Sequence, residues 1–189
     1  MTLLVAGLAV FFGVHLVPAS PRVRARLVGG IGELPYKGAF SVIALAGLAM
    51  VVAGMGRAPH IALWYPPAWS ATVAAILMVP ALILLAAANF RNNIRRVARH
   101  PMSLGVLLWS LSHLWANGDL ASLLLFGGFA AFALFDMRPS GQRAAGAGEP
   151  AAVARDWLAV AIGLAAYSGL AALHGRLFGV AVFPAFPFQ

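Results

Sequence analysis

Cysteine is absent from the 189 residues. That excludes disulfides, thiolate nucleophiles, thiolate metal ligands and iron–sulfur clusters, and leaves the redox compartment open. Charge is also scarce: 10% of residues are charged, where a soluble domain carries about 25%. Acids are scarcer still, five against 13 Lys and Arg. What fills the chain instead is apolar, 62% hydrophobic with a mean hydropathy of +0.89. These proportions predict an all-α polytopic membrane helix bundle, forming one domain over residues 1–189. The net charge of +8 reflects topology rather than nucleic acid, because no basic stripe with interleaved aromatics is present.

Six apolar segments emerge, near residues 2–17, 36–54, 68–88, 102–116, 120–135 and 157–178. A span needs about 20 residues, so the first, fourth and fifth are short. Only Asn117-Gly118-Asp119 separates the fourth from the fifth, which also allows a re-entrant hairpin. Two spans are the preferred reading, since ~16 residues already cover ~24 Å. The loops at 20–37, 91–101 and 136–156 hold 11 of the 13 basic residues. They are Arg22, Arg24, Arg26, Lys37, Arg91, Arg95, Arg96, Arg99, Arg138, Arg143 and Arg155. This asymmetry predicts three cytoplasmic loops and both termini on the outer side of the membrane. The first segment reads as a span rather than a cleaved leader, because it lacks a basic start and arginines follow it directly. Pro80 should kink the third segment. The run Trp64-Tyr65-Pro66-Pro67-Ala68-Trp69 fits an interfacial aromatic belt. Pro139 to Pro150, rich in small residues, reads as a flexible cytoplasmic linker. No internal repeat is evident.

The acids map to loops or their edges: Glu33, Asp136, Glu149 and Asp156 inside, and Asp119 in the outer turn, where it would cap the next helix. With no acid mid-membrane, a proton relay or cation-coupled transporter is disfavoured. The stretch "ARHPMSLGVLLWSLSHLWANGDL" carries the most polar chemistry. Ser103, Ser110 and Asn117 recur every seven residues, with Val106 and His113 beside them, a small-and-polar seam suited to packing between helices. His113 on that seam either bridges helices or binds a ligand. His100 lies ~20 Å along the same helix at the cytoplasmic interface, where Arg-His-Pro is partly a helix start. His15 sits near the cytoplasmic end of the first span beside Phe11 and Phe12. His174 sits towards the outer end of the last, one heptad on from Tyr167. His60 belongs to an outer loop. His15, His113 and His174 are thus the strong candidate metal ligands inside the membrane. Two neutral imidazoles on opposite faces of a haem would satisfy both rings at once, with Arg95, Arg96 and Arg99 placed to pair propionates. His113 and His174 match best in depth; sequence leaves the choice between His15 and His174 open.

The residues Ala88-Asn89-Phe90-Arg91-Asn92-Asn93-Ile94, then the HP…G…W…HL…NGD spacing, Tyr36-Lys37-Gly38 and the Trp64/Pro66–Trp69 region closely resemble the NnrU family of bacterial membrane proteins. The resemblance covers nearly the whole chain. It implies a multi-pass protein of the bacterial inner membrane linked to nitrite and nitric oxide metabolism. The plant zeta-carotene isomerase, a haem b enzyme acting on a lipid-soluble polyene, belongs to the same superfamily. Carried over, that implies His15 and His113 as the axial pair, with no cysteine available as an alternative ligand. A second resemblance competes. Arg99-His100-Pro101 followed by Gly105 looks like the S-adenosylmethionine site of isoprenylcysteine and phospholipid methyltransferases. Phe135-Asp136-Met137-Arg138 lacks the paired glutamates of those enzymes. Arg99, His100 and Asn117 therefore join His15 and His113 as candidate cofactor-binding residues. A non-catalytic membrane scaffold, whose histidines only join helices, is the third expectation.

Overall fold

The computed structural model describes residues 1–138 and 149–182. Most of the expected linker, residues 139–148, lies outside them. The described residues form eight α-helices and no strand. In order they are α1 (Thr2–Leu16), α2 (Pro21–Ile31), α3 (Glu33–Met55), α4 (Ser70–Ala87), α5 (Asn93–Ala98), α6 (Pro101–Ala116), α7 (Leu120–Asp136) and α8 (Val153–Phe178). One isolated antiparallel bridge joins Ala62 and Asp119. By length and composition, α3, α4 and α8 can cross a membrane, and the α1–α2 pair makes a fourth if its 86° bend lies within one span. The helices α6 and α7, of 16 and 17 residues, are shorter.

Two stretches expected as loops are helical. Residues 20–37 hold α2 and the start of α3. Pro21 occupies the first turn of α2, where its missing N–H is no loss, and Gly32 ends the helix at φ 85°. Residues 91–101 hold α5, whose cap is Asn92: its side chain accepts the Arg95 N–H at 2.7 Å. Pro80 lies inside α4, and the helix continues through it.

The chain divides into two units, residues 1–64 with 119–128, and residues 65–118 with 129–182 of the described chain. In the first, α1 and α3 run antiparallel at close range. A Cβ at Gly54 would collide with the Leu4 backbone, one at Gly7 would lie 2.6 Å from Val51 N, and one at Gly47 would lie 2.9 Å from Phe11 N. Small residues let helix backbones approach where lipid provides no hydrophobic driving force. In the second unit α4 is shared by α6 and α8. A Cβ at Gly105 would sit 2.9 Å from Ala81 O, and one at Gly163 would sit 2.6 Å from Ile83 Cα. The Trp69 and Trp115 rings, 5.8 Å apart, mark the other end of the antiparallel α4–α6 pair.

The Asn92-Asn93 pair ties α5 to the head of α8. Asn93 donates its backbone N–H and its side-chain amide to the Asp156 carboxylate at 2.6 and 2.8 Å. Its amide oxygen accepts from Ala151 N at 2.9 Å. Asn92 donates to the Ala87 carbonyl at 2.8 Å, closing the C-terminal end of α4. Outward faces are apolar: Val42, Leu45 and Val52 on α3 and Ile76 on α4 are each more than half exposed. An apolar surface of this extent suits lipid rather than water.

The Gly54 contact sets a test. Gly54→Leu should lower thermal stability in detergent by at least ~1–3 kcal/mol through overpacking. Gly38→Ala, on α3 with nothing within 4 Å, should be neutral or stabilising by up to ~1 kcal/mol. Equal effects from the two would contradict the close packing of α1 on α3.

Candidate functional site

His15 and His113 share one local geometry. His15 Nδ1 lies 2.7 Å from the Phe11 carbonyl and His113 Nδ1 lies 2.8 Å from the Trp109 carbonyl, each one turn back on its own helix. His174 Nδ1 lies 2.6 Å from the carbonyl of Val180, where the chain turns back after α8. A carbonyl only accepts, so each contact requires a proton on Nδ1 and puts the lone pair of the neutral ring on Nε2. Metal-binding histidines are usually oriented in this way, through the ring nitrogen that does not bind the metal.

Each ring also has an aromatic neighbour one turn away. Phe11 stacks on His15 at 4.2 Å, Trp109 lies 5.5 Å from His113, and Phe178 lies 4.8 Å from His174. In the first unit Phe40 adds an edge contact to His15 at 5.1 Å. In the second, Phe129 meets Trp109 edge-on at 5.3 Å. The Trp109 carbonyl is shared: Ser112 Oγ donates to it at 2.9 Å beside His113 Nδ1. Sequence reading missed Trp109, Ser112 and Phe178. The signal was an aromatic residue four positions from each histidine.

The second unit brings His113 and His174 together, with ring centroids 6.4 Å apart and planes 30° from parallel. His15 belongs to the first unit. No group of three or more His, Cys, Asp or Glu side chains able to hold a metal exists among the described residues. Any metal there would depend on a pair of imidazoles and on ligands it brings itself, as haem does.

A family model described as "NnrU protein" matches residues 3–182. The chain belongs to the NnrU family. Comparison with curated proteins gives no match, and comparison with solved structures gives none either. The family motifs can now be given physical meanings in this NnrU-family chain. In the NGD turn, Asp119 caps α7: its carboxylate accepts Ser122 N at 3.0 Å and Ser122 Oγ at 2.6 Å. Asn117 ends α6, its side-chain amide donating to the His113 carbonyl at 2.8 Å. That candidate cofactor residue thus serves the helix terminus beside His113.

The Arg-His-Pro motif is a chain break. His100 N donates to the Ala98 carbonyl at 2.6 Å across Arg99, which has φ 57° and ψ −45°. This is a γ-turn of the rare positive-φ hand, costly for a residue with a side chain. Pro101 forces it, because it disfavours a helical conformation at His100, and α6 starts afresh at Pro101. Gly105 stands inside α6 against α4. Of the arginines expected near propionates, Arg95 donates to the Ala88 carbonyl at 3.2 Å, while Arg96 and Arg99 are exposed. On the polar seam, Ser103 donates to Asp136 at 2.7 Å. Ser110 is fully buried, and its Oγ has no partner among the described residues.

The Asp119 cap has a pH signature. Burial raises the carboxyl pKa, but hydrogen bonds from Ser122 and Ala121, with the charge of His60, outweigh it and leave it below the ordinary value. A depressed carboxyl contributes stability above its unfolded pKa of ~3.9 and loses that contribution as pH falls through the folded value. Asp119→Ala should therefore destabilise by ~0.5–2 kcal/mol at neutral pH, with the gap to wild type closing at acid pH. A gap that stays constant with pH in thermal melts would contradict an ionised cap.

Proposed function

We propose that this protein is a multi-pass bacterial inner-membrane protein with six spans and both termini outside, and that it binds haem b through intramembrane histidines. The single observation supporting the reading is the His113–His174 pair. With ring centroids 6.4 Å apart, His113 and His174 are the residues that would hold a haem iron. Their Nδ1 contacts to Trp109 and Val180 put the ligand lone pair on Nε2. The donor set, nitrogen without sulfur, suits a low-potential or gas-sensing haem. His113 is the common ligand. His174 lies beside it, while the family resemblance points to His15 as the second residue that would hold the group.

A bound haem supplies one-electron chemistry or nitrogen-oxide binding. The chain's own residues orient the imidazoles and line the rings with Phe and Trp. The function then lies in nitrite or nitric oxide metabolism, or in an isomerase-like redox step on a lipid-soluble substrate. The six-span topology rests on the positive-inside pattern. It requires α6 and α7, at 16 and 17 residues, to cross with their flanks at the interfaces.

Purified protein from haem-replete cells should show a Soret band that His113→Ala abolishes. His174→Ala and His15→Ala separate the partners, since the true ligand changes the low-spin spectrum and the other leaves it intact. Protein that stays colourless after haemin is added would overturn the reading and leave the scaffold. Heat released on titrating S-adenosylmethionine, lost in His100→Ala, would move the assignment to the methyltransferase.

A further inference from the structure

The helix α2 is built unlike its neighbours. It follows α1 with an 86° bend and buries none of its residues. Val23, Leu27 and Ile31 recur at i, i+4 and i+8 and are 42%, 41% and 53% exposed. On a helix turning about 100° per residue, Arg22 and Arg26 lie ~120° to one side of this stripe and Arg24 ~60° to the other. Arg24 is engaged within the protein, 3.7 Å from Glu33 and over the Tyr36 ring at 5.9 Å. Arg22 and Arg26 have no acidic partner among the described residues.

We propose that α2 is an interfacial helix that binds the acidic phospholipid headgroups of the membrane holding the protein. Its apolar stripe enters the headgroup–acyl boundary, and Arg22 and Arg26 reach phosphates from the flank. Eleven residues at 1.5 Å each give only ~16 Å, too short to cross. Three arginines in so short a helix also oppose burial in hydrocarbon. A helix with an apolar stripe and basic flanks is stable lying in the interface, and basic residues there favour anionic leaflets. The near-right-angle bend supplies that orientation when α1 lies along the membrane normal. The alternative occupants are a partner protein or a second copy covering the stripe.

The cysteine-free sequence is a ready background for site-directed labelling. Full-length Val23→Cys, Leu27→Cys and Arg22→Cys carry a nitroxide, and the protein is placed in nanodiscs of phosphatidylcholine with or without phosphatidylglycerol. Collisions with oxygen report lipid, and collisions with a nickel chelate report water. The oxygen-to-nickel ratio at residues 23 and 27 should exceed that at residue 22 several-fold and rise further with phosphatidylglycerol. Adding R22Q and R26Q should remove the phosphatidylglycerol-dependent rise while leaving the helical content unchanged. Equal ratios at residues 22 and 23, or a ratio indifferent to phosphatidylglycerol, would overturn the proposal. Protection of residue 23 from both reagents would also overturn it, since it marks a protein surface over the stripe.

Discussion

A polar group inside a bilayer must find its partner within the protein, and here the helix that carries the group most often supplies it. The carbonyls of Phe11 and Trp109 receive the histidines one turn on. The same back-bonding closes helix ends, where the His113 carbonyl receives the Asn117 amide and Asn89 donates to the Leu85 carbonyl at 2.7 Å. Such back-bonding spares the helices a water partner that hydrocarbon does not offer. For the histidines it does more. It places the proton on Nδ1 and leaves the lone pair of a neutral ring on Nε2, which is what the proposed haem ligation needs.

Close approach comes from glycine. Gly54 and Gly7 bring α3 and α1 together, and Gly105 and Gly163 bring α6 and α8 onto α4. Packing of α6 and α8 on a common helix is what places His113 beside His174. The clasp of Asn93 on Asp156 sets the start of α8, and through its length the level reached by His174. Much of the family motif set is therefore architectural: NN ties α5 to α8, Arg-His-Pro breaks α5 from α6, and NGD closes α6 and opens α7.

The helical class, the interior histidines and the Asp119 cap were legible because they follow from composition, hydropathy and local capping rules. The helix α2 was not, because its arginines dominate a loop-scale reading and hide the four-residue recurrence of Val23, Leu27 and Ile31. The six apolar segments each contain a helix, yet apolarity alone does not give length: α3, α4 and α8 satisfy the span requirement, while α1, α6 and α7 fall short of it. The nearness of His113 to His174 agrees with their matched depth, but depth says nothing about which helices pack. That depended on Gly105 and Gly163 facing α4, a tertiary fact. The positive φ at Arg99 was likewise beyond reach, since only the conflict between α5 and Pro101 produces it.

The central claim is that His15, His113 and His174 each direct an Nδ1–H at a backbone carbonyl, which leaves Nε2 as the nitrogen for the proposed ligation. Solid-state nitrogen-15 spectra of histidine-labelled protein in lipid bilayers test it most directly, with His15→Gln, His113→Gln and His174→Gln variants to assign the signals. The account predicts a hydrogen-bonded Nδ1–H for all three, with the Nε2 resonances of the proposed ligating pair shifted when haemin is added. Rings at these positions with no proton on Nδ1, or Nε2 resonances indifferent to haemin, would contradict it.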